Sequence, residues 1–143
     1  MSLAQLARKA VTLAPTATVL EAVRRMEQEK VGAVAVVRDG RLAGIFTERD
    51  VMLRVVLAQR DPKSTELSAV MTADPLSAGP TTSMAEALRV MVERHFRHLP
   101  VVGPDGQIVG IVSMRHMLRQ RIDVLTEQLE GLANFAGADG IGG

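Results

Sequence analysis

The side chains in this sequence best suited to chemistry are a hydroxyl and a carboxylate three positions apart, Thr47 and Asp50. A threonine followed three residues later by an acid is typical of a helix start, where such side chains bind backbone N–H groups. The same carboxylate, one turn into the helix, could also accept hydrogen bonds from both hydroxyls of a ribose. The spacing predicts a helix start and leaves a sugar-binding function open.

Other catalytic arrangements have little support. His95, His98 and His116 have acids nearby, but the first two straddle a predicted helix end and strand start and need not share a face. The chain has no cysteine and no His-Glu-x-x-His helix, so we expect no metal site. No serine or threonine has a base arranged beside it, and the glycine-rich phosphate-binding loop is absent. We expect a protein that is not an enzyme.

Composition limits the class of protein further. The 143 residues are 47% hydrophobic, which suffices for one compact domain or for two halves that share a core. A formal net charge of +1 and only three aromatic residues argue against nucleic-acid binding, which needs a basic surface interleaved with aromatics. No apolar stretch approaches the ~18 residues of a membrane span. We expect a cytoplasmic protein without a signal peptide and without membrane contact.

The sequence contains one pattern twice. Residues 11–52 align with residues 76–118 at a constant offset, interrupted by one inserted residue near Asp105. Both copies carry Pro-Thr, Glu-Ala, Val-Val and Asp-Gly pairs at equivalent positions. A long period that occurs only twice does not predict a solenoid. It predicts two copies of one unit, each too small to bury a core alone, which pack on each other.

In the first copy, apolar runs and turn signals predict alternating strands and helices. A capping box of Thr18 and Glu21 begins the first helix, and the Asp39-Gly40 pair turns one strand back onto the next. Thr47 begins a second helix. The predicted strands and this second helix span residues 11–13, 33–37, 42–46 and 48–58.

The second copy follows a polar loop at 60–64 and a short lead-in helix over 66–71. Ser83 and Glu86 form the equivalent capping box, and Ser113 begins the last helix. The predicted strands span residues 76–78, 99–102 and 108–112.

The last helix continues beyond the end of its counterpart in the first copy. Apolar residues recur along it at alternating spacings of four and three, over about two heptads. They are Leu118, Ile122, Leu125, Leu129 and Leu132. This seam leaves two possibilities open, packing on the helix's own domain or a dimer contact. The expected divisions of the chain are a first repeat with its lead-in, a second repeat, a helical extension and a disordered glycine-rich tail, over 1–65, 66–120, 121–136 and 137–143.

The β-α-β-β-α order, present twice, resembles a known family when it is combined with three motifs. These are Val70-Met71-Thr72 before a repeat, the run from His98 to Val102, and the run from Gly44 to Asp50. Residues 6–120 resemble a tandem pair of CBS (cystathionine-β-synthase-type) repeats, a Bateman module. The resemblance implies an α/β (α+β) fold in which two three-stranded sheets pack with their helices in pseudo-two-fold symmetry. It also implies two clefts for adenosine-containing ligands.

In this family the acid that binds ribose comes from one repeat, while base and phosphate contacts come largely from the other. The resemblance thus implies a main cleft with an adenine slot lined by Leu76 and Phe96. It places basic phosphate ligands at Arg97, His98 and Arg115. The implied residues of the main cleft are Thr47, Asp50, Leu76, Ser77, Ala87, Phe96, Arg97, His98, Pro100 and Arg115.

The second implied cleft is poorer, because Ser113 replaces Thr47 and His116 replaces Asp50. An imidazole cannot accept two ribose hydroxyls as a carboxylate does. Arg49, the counterpart of Arg115, would be its only cation. The implied residues of this cleft are Val11, Thr12, Val31, Gly32, Ala33, Ser113, His116 and Arg49.

The expected function is that of a regulatory module that senses energy or metabolite state through an adenosine-containing ligand and requires no cofactor. AMP or ADP is the leading ligand, and ATP, NAD and S-adenosylmethionine remain open. The expected partners are a second copy of the chain, in a homodimer, and an unidentified effector protein. The alternative is a ligand-free scaffold that acts on a partner protein, and the two differ in whether any ligand binds.

Overall fold

Short strands alternate with helices in the computed structural model, which describes residues 2–138 and the side chains of residues 2–135. This arrangement confirms the predicted mixed α/β fold with an extended C-terminal helix. A three-residue helix, α3, continues directly as a π-helical segment over Val51–Val56. The numbered elements are α1 (Leu3–Leu6), β1 (Thr12–Leu13), α2 (Val19–Glu29), β2 (Ala33–Arg38), β3 (Arg41–Thr47), α3 (Glu48–Asp50), α4 (Leu67–Val70), β4 (Thr72–Ala73), α5 (Met84–Arg94), β5 (His98–Val102), β6 (Ile108–Ser113) and α6 (Met114–Ala138).

Each repeat builds one sheet on the same plan. In the first sheet the order is β1-β2-β3-β4, with β1 parallel to β2 and the other pairs antiparallel. The second sheet consists of β5 and β6, and isolated bridges add Ala78 beside Val101 and Arg8 beside Ile111. The expectation of two three-stranded sheets is therefore wrong in strand count. The first sheet gains β4 from the lead-in of the second repeat, and the second sheet has two strands with single bridges at its edges.

The predicted strand over 76–78 is also wrong, and Pro100 explains why. In the first repeat, the Ala35 N–H donates to the Val11 carbonyl at 2.8 Å and ties the edge segment to β2. Pro100 occupies the equivalent position in β5 and has no N–H to donate. Ala78 is therefore the only point at which this segment pairs with β5, and within residues 2–138 no backbone N–H reaches the Leu76 carbonyl.

The segment before each repeat packs on the other repeat. Leu3 of α1 lies fully buried in the core of the second repeat, whereas Leu67 of α4 lies fully buried in the core of the first. Gly44 and Gly110 permit this crossing, since a Cβ there would lie 2.9 Å and 2.6 Å from a carbonyl oxygen of the passing segment. The two repeats are therefore interlocked. Residues 3–8 precede the first repeat in sequence but pack on the second repeat.

Small side chains fill the space between the two sheets. Ala33, Ala35 and Ile45 of the first repeat form a buried cluster with Ile111 of the second. The helices cover the outer faces, where larger residues such as Phe46 and Met117 are fully or almost fully buried. This sheet-on-sheet packing provides a core without tryptophan or tyrosine.

The helix starts follow the prediction only in part. Thr18 Oγ1 accepts the Glu21 N–H at 3.2 Å, and Ser83 Oγ accepts the Glu86 N–H at 3.1 Å. Neither glutamate side chain returns a bond to the cap, so both predicted capping boxes are half formed. The helix predicted over 48–58 is regular only through α3, because the next turns make i to i−5 bonds such as Leu57 N–H to Met52 O.

Helix α6 reaches Ala138, two residues past the predicted end at 136. Gly137 and Ala138 thus belong to the helix, and residues 139–143 of the predicted disordered tail lie outside the described residues. The seam is not buried against its own domain, since Ile122 is 60% exposed and Leu129 is 67% exposed. No helix among the described residues is both long and apolar enough to cross a membrane.

Candidate functional site

A cleft of about 720 Å³ lies between the two repeats, where the start of α3 faces the end of α5 and the beginning of β5. We call it the main cleft. Each repeat supplies one of its walls. The structure places most of the residues implied for this cleft on its lining, namely Thr47, Asp50, Leu76, Phe96, Arg97, His98 and Pro100.

Three other residues implied for the main cleft lie elsewhere. Ala87 is buried in the core of the second repeat, because its face of α5 is turned toward the sheet. Ser77 is exposed and does not line the cleft. Arg115 lines the opposite side of the repeat interface, because α6 starts against the first repeat just as α3 starts against the second.

Thr47 and Asp50 form a complete capping box at the start of α3. Thr47 Oγ1 accepts the Asp50 N–H at 3.3 Å, and Asp50 Oδ2 accepts from the Thr47 N–H at 3.0 Å and from its hydroxyl at 3.2 Å. Asp50 is only 9% exposed and is the only buried charged side chain among the described residues. Because an unpaired buried carboxylate is costly, these bonds stabilise the acid at the cleft.

Arg54 also acts on Asp50, a role that was not predicted from the sequence. Its Nε lies 3.6 Å from Asp50 Oδ1, and its Nη1 donates to the carbonyls of Val70 and Met71 at 3.3 and 2.8 Å. The spacing of four residues on a helix was the available signal. A carboxylate offers about four acceptor positions, so Asp50 retains capacity for a ligand hydroxyl.

Part of the main cleft is apolar and carries a backbone carbonyl without a backbone donor. Leu76, Phe96 and Pro100 line this part, and Ile45 of β3 also lines the cleft. The Leu76 carbonyl has no backbone donor, because Pro100 lacks the N–H that would complete the strand. An apolar slot beside a hydrogen-bond acceptor suits a flat heterocycle that carries an amino group.

Arg49 belongs to the main cleft and not to the second cleft, where the sequence analysis placed it. Its Nη1 donates to the His95 carbonyl at 3.2 Å, so it reaches across the repeat interface to the end of α5. A cation at a helix C-terminus interacts favourably with the carbonyls there. Arg49 therefore joins the two walls.

Two further arginines lie at this cleft. Arg94, at the end of α5, lines it and was missed, while Arg97 lines both clefts. The acids Glu48 and Asp74 share the lining, so the main cleft is nearly balanced in charge. Arg94 and Arg97 are exposed and can make planar bidentate contacts with a phosphate.

His98 also lines both clefts, between the two repeats. Burial lowers the pKa of His98 below its usual 6.5; Glu48 opposes this shift, while His116 and Arg97 add to it. The ring is therefore neutral at pH 7.

A second cleft of about 940 Å³ lies on the other side of the repeat interface. Of the residues implied for it, Thr12 and Arg49 do not line it, whereas Val11, Val31, Gly32, Ala33, Ser113 and His116 do. The expectation of a single cation is wrong, because the chain places six basic side chains here from both repeats. They are Arg8, Lys9, Lys30, Arg97, Arg115 and Arg119.

His116 takes the place of Asp50 in the second cleft. The backbone N–H of His116 donates to Ser113 Oγ at 3.1 Å, which caps the start of α6. Its ring Nδ1 is buried without a hydrogen-bond partner. Burial lowers the pKa of His116, and Arg8 and Arg115 lower it further. The described part of the chain contains no group of three or more metal-ligating side chains.

Comparison with known proteins identifies the repeat. The family model described as CBS domain matches residues 3–57 and again residues 67–123. The CBS domain-containing protein YhcV of Bacillus subtilis is 38% identical over 103 residues, which are 72% of this chain and 72% of that protein. The chain spans 20% and 58% of the length of two longer relatives from Arabidopsis thaliana, CBSCBSPB1 and CBSX3.

Solved structures agree in fold. A protein with CBS domains from Burkholderia ambifaria MC40-6 superposes with a TM-score of 0.79 at 32% identity, covering 86% of this chain and 95% of that one. The CBS domain protein PAE2072 from Pyrobaculum aerophilum, solved in complex with AMP, superposes with a TM-score of 0.74 at 26% identity, covering 81% and 89%. Two matches to the family model, which together span most of the sequence, show that the chain belongs to the CBS domain family as a tandem pair of CBS repeats.

Proposed function

We propose that the main cleft binds AMP or ADP and that the protein is a non-catalytic, cytoplasmic regulatory module. The observation that carries this proposal is Asp50, a buried carboxylate with unused acceptor capacity at a cleft that is apolar in part. The AMP complex of the Pyrobaculum relative supports the same ligand class.

Each part of an adenine nucleotide has a complementary group in this proposal. Asp50 accepts from the ribose hydroxyls, with Thr47 fixing its position. The Leu76 carbonyl accepts from the exocyclic amino group of adenine, which lies against Leu76 and Phe96. Arg94 and Arg97 bind the phosphate, and two guanidinium groups match one or two phosphates in charge.

Ligand co-purification and calorimetry test this proposal. The chain has no tryptophan or tyrosine, so a strong 260 nm band in the purified protein would come from a bound nucleotide. The emptied protein is then titrated with AMP, ADP and adenosine. We expect AMP and ADP to bind more tightly than adenosine, at one site of this kind per chain. No heat and no thermal shift at millimolar nucleotide would favour the ligand-free scaffold instead.

A homodimer through α6 is the assembly that the exposed seam favours. The arginines of the helix lie in its first half, as Arg119 and Arg121 illustrate, whereas two of its three acids, Glu127 and Glu130, lie in its second half. A second copy in antiparallel orientation pairs opposite charges and covers the apolar seam, whereas a parallel copy pairs like charges. We therefore propose an antiparallel, two-fold contact between two copies of α6. An effector protein would bind this homodimer and respond to its ligand state.

A further inference from the structure

The second cleft concentrates positive charge in a chain that is nearly neutral. Six basic and two acidic side chains line it, while the whole sequence carries a formal net charge of only +1. The six are Arg8, Lys9, Lys30, Arg97, Arg115 and Arg119. They come from segments far apart in sequence, so the fold itself brings them together.

Most of these cations have no carboxylate partner. Among residues 2–135, the ion pairs are Lys30 with Glu27 and Arg54 with Asp50. The remaining acid at the second cleft, Glu48, lies within ion-pair distance of none of the cations. Five unpaired cations around one cavity repel each other, and a bound anion would remove that cost.

The cleft lacks the group that would select a ribose. His116 occupies the position that Asp50 holds in the main cleft, and its buried Nδ1 has no partner. Val11 is the counterpart of Leu76 at this cleft, and its carbonyl already accepts the Ala35 N–H. The second cleft therefore has no free backbone acceptor at the position where the main cleft has one. Recognition at this cleft must therefore rest on charge.

We propose that the second cleft is a binding site for an oligophosphate, a chain of two or more linked phosphates, recognised independently of any ribose. A single phosphate is too small to engage cations from the segment after α1, the C-cap of α2 and the start of α6 around 940 Å³. A chain of phosphates supplies several adjacent oxygens for bidentate guanidinium contacts. The linked phosphates could belong to an inorganic chain or to the phosphate chain of a nucleotide.

Calorimetric titration with tripolyphosphate tests the site directly. We expect one site per chain that persists when AMP saturates the main cleft, with an affinity that falls steeply as NaCl rises. The double variant Arg115→Gln, Arg119→Gln should lose about tenfold or more in affinity for tripolyphosphate. The matched control Arg24→Gln, Arg89→Gln removes two exposed charges that line neither cleft and should change affinity less than twofold.

Comparison with ATP distinguishes the two sources of the phosphate chain. We expect ATP and tripolyphosphate to bind with similar affinities and with equal dependence on Arg115 and Arg119, and a tenfold preference for ATP would overturn recognition independent of the ribose. Three other results would overturn the proposal: no tripolyphosphate binding, an equal loss in both double variants, or complete displacement by AMP. Binding of single-stranded RNA without binding of tripolyphosphate would also overturn it. AMP titration of the same variants tests the main cleft separately.

Discussion

Replacing Pro100 by alanine should weaken AMP binding at the main cleft without touching the ribose or phosphate contacts. Alanine restores an N–H at the position where Ala35 of the first repeat donates to Val11 at 2.8 Å. The new N–H can donate to the Leu76 carbonyl and extend the edge strand. The acceptor proposed for the adenine amino group is then occupied inside the protein.

The expected loss follows from the value of one hydrogen bond. A net contribution of about 0.5–1.5 kcal/mol corresponds to a loss of roughly twofold to twelvefold in AMP affinity. The free energy of unfolding is a poorer readout, because two effects of the substitution oppose each other. It removes about two buried methylenes of Pro100, which costs ~1.6 kcal/mol, and it adds about one hydrogen bond. The prediction therefore concerns binding and not the melting temperature.

Inosine monophosphate provides the internal control. It carries an oxygen where AMP carries the amino group, so it cannot donate to Leu76 in either protein. We expect the parent protein to prefer AMP, and Pro100→Ala to reduce that preference by lowering AMP affinity alone. If calorimetry shows that Pro100→Ala weakens both nucleotides equally, the Leu76 carbonyl does not read the base, and the reasoning is refuted.

The remaining predictions address the acid, the assembly, the pH response and the crossing of the lead-in. Asp50→Asn should weaken adenosine and AMP alike by about tenfold to a hundredfold in calorimetry, because both ligands carry the ribose; a loss for AMP alone would show that Asp50 acts elsewhere. Leu125→Glu with Leu129→Glu should give a monomer in sedimentation at tens of micromolar, and an intact dimer would assign the contact to the repeats. Because burial lowers the pKa of His98, its contribution to stability is present above pH 6.5 and lost as the pH falls through its folded value. Urea unfolding of His98→Gln should show a shallower decline between about pH 7 and pH 5 than the parent, and an unchanged slope would contradict this assignment. Gly110→Ala should destabilise by about 1–3 kcal/mol in urea unfolding, since its Cβ would lie 2.6 Å from a backbone oxygen, and parent-like stability would contradict the crossing.

The repeat made most of the fold predictable, and the errors have local causes. Equivalent apolar runs, turn pairs and helix starts indicated two copies of one unit, and the structure has them. The strand at 76–78 failed because a proline inside β5 has no N–H, an effect that only the pairing partner reveals. The sequence did not predict that each lead-in segment packs on the other repeat, because sequence order does not show which sheet edge a short segment joins.

The site was harder to predict than the fold. The two repeats are related by a pseudo-two-fold axis, so residues at equivalent positions of the two repeats lie in different clefts. Arg49 and Arg115 align in sequence, yet each lies in the cleft to which the other was assigned. Arg8 and Lys9 lie before the repeat and reach the second cleft only because their segment packs on β6. The number of basic side chains at the second cleft could therefore not be predicted from the repeated residues alone.

The divergence of the two clefts follows from a few exchanges at equivalent positions. Pro100 in place of Ala35 opens a backbone acceptor in the main cleft, while His116 in place of Asp50 removes the ribose acid from the second. The lead-in before the first repeat adds two cations to the second cleft, whereas the lead-in before the second repeat adds Thr72 and Asp74 to the main cleft. One fold thus carries a cleft suited to a nucleoside and a cleft suited to phosphates. Arg97 and His98 line both clefts, so a ligand bound in one cleft can change the electrostatic environment of a ligand in the other. These two residues give the two clefts a direct route for coupling.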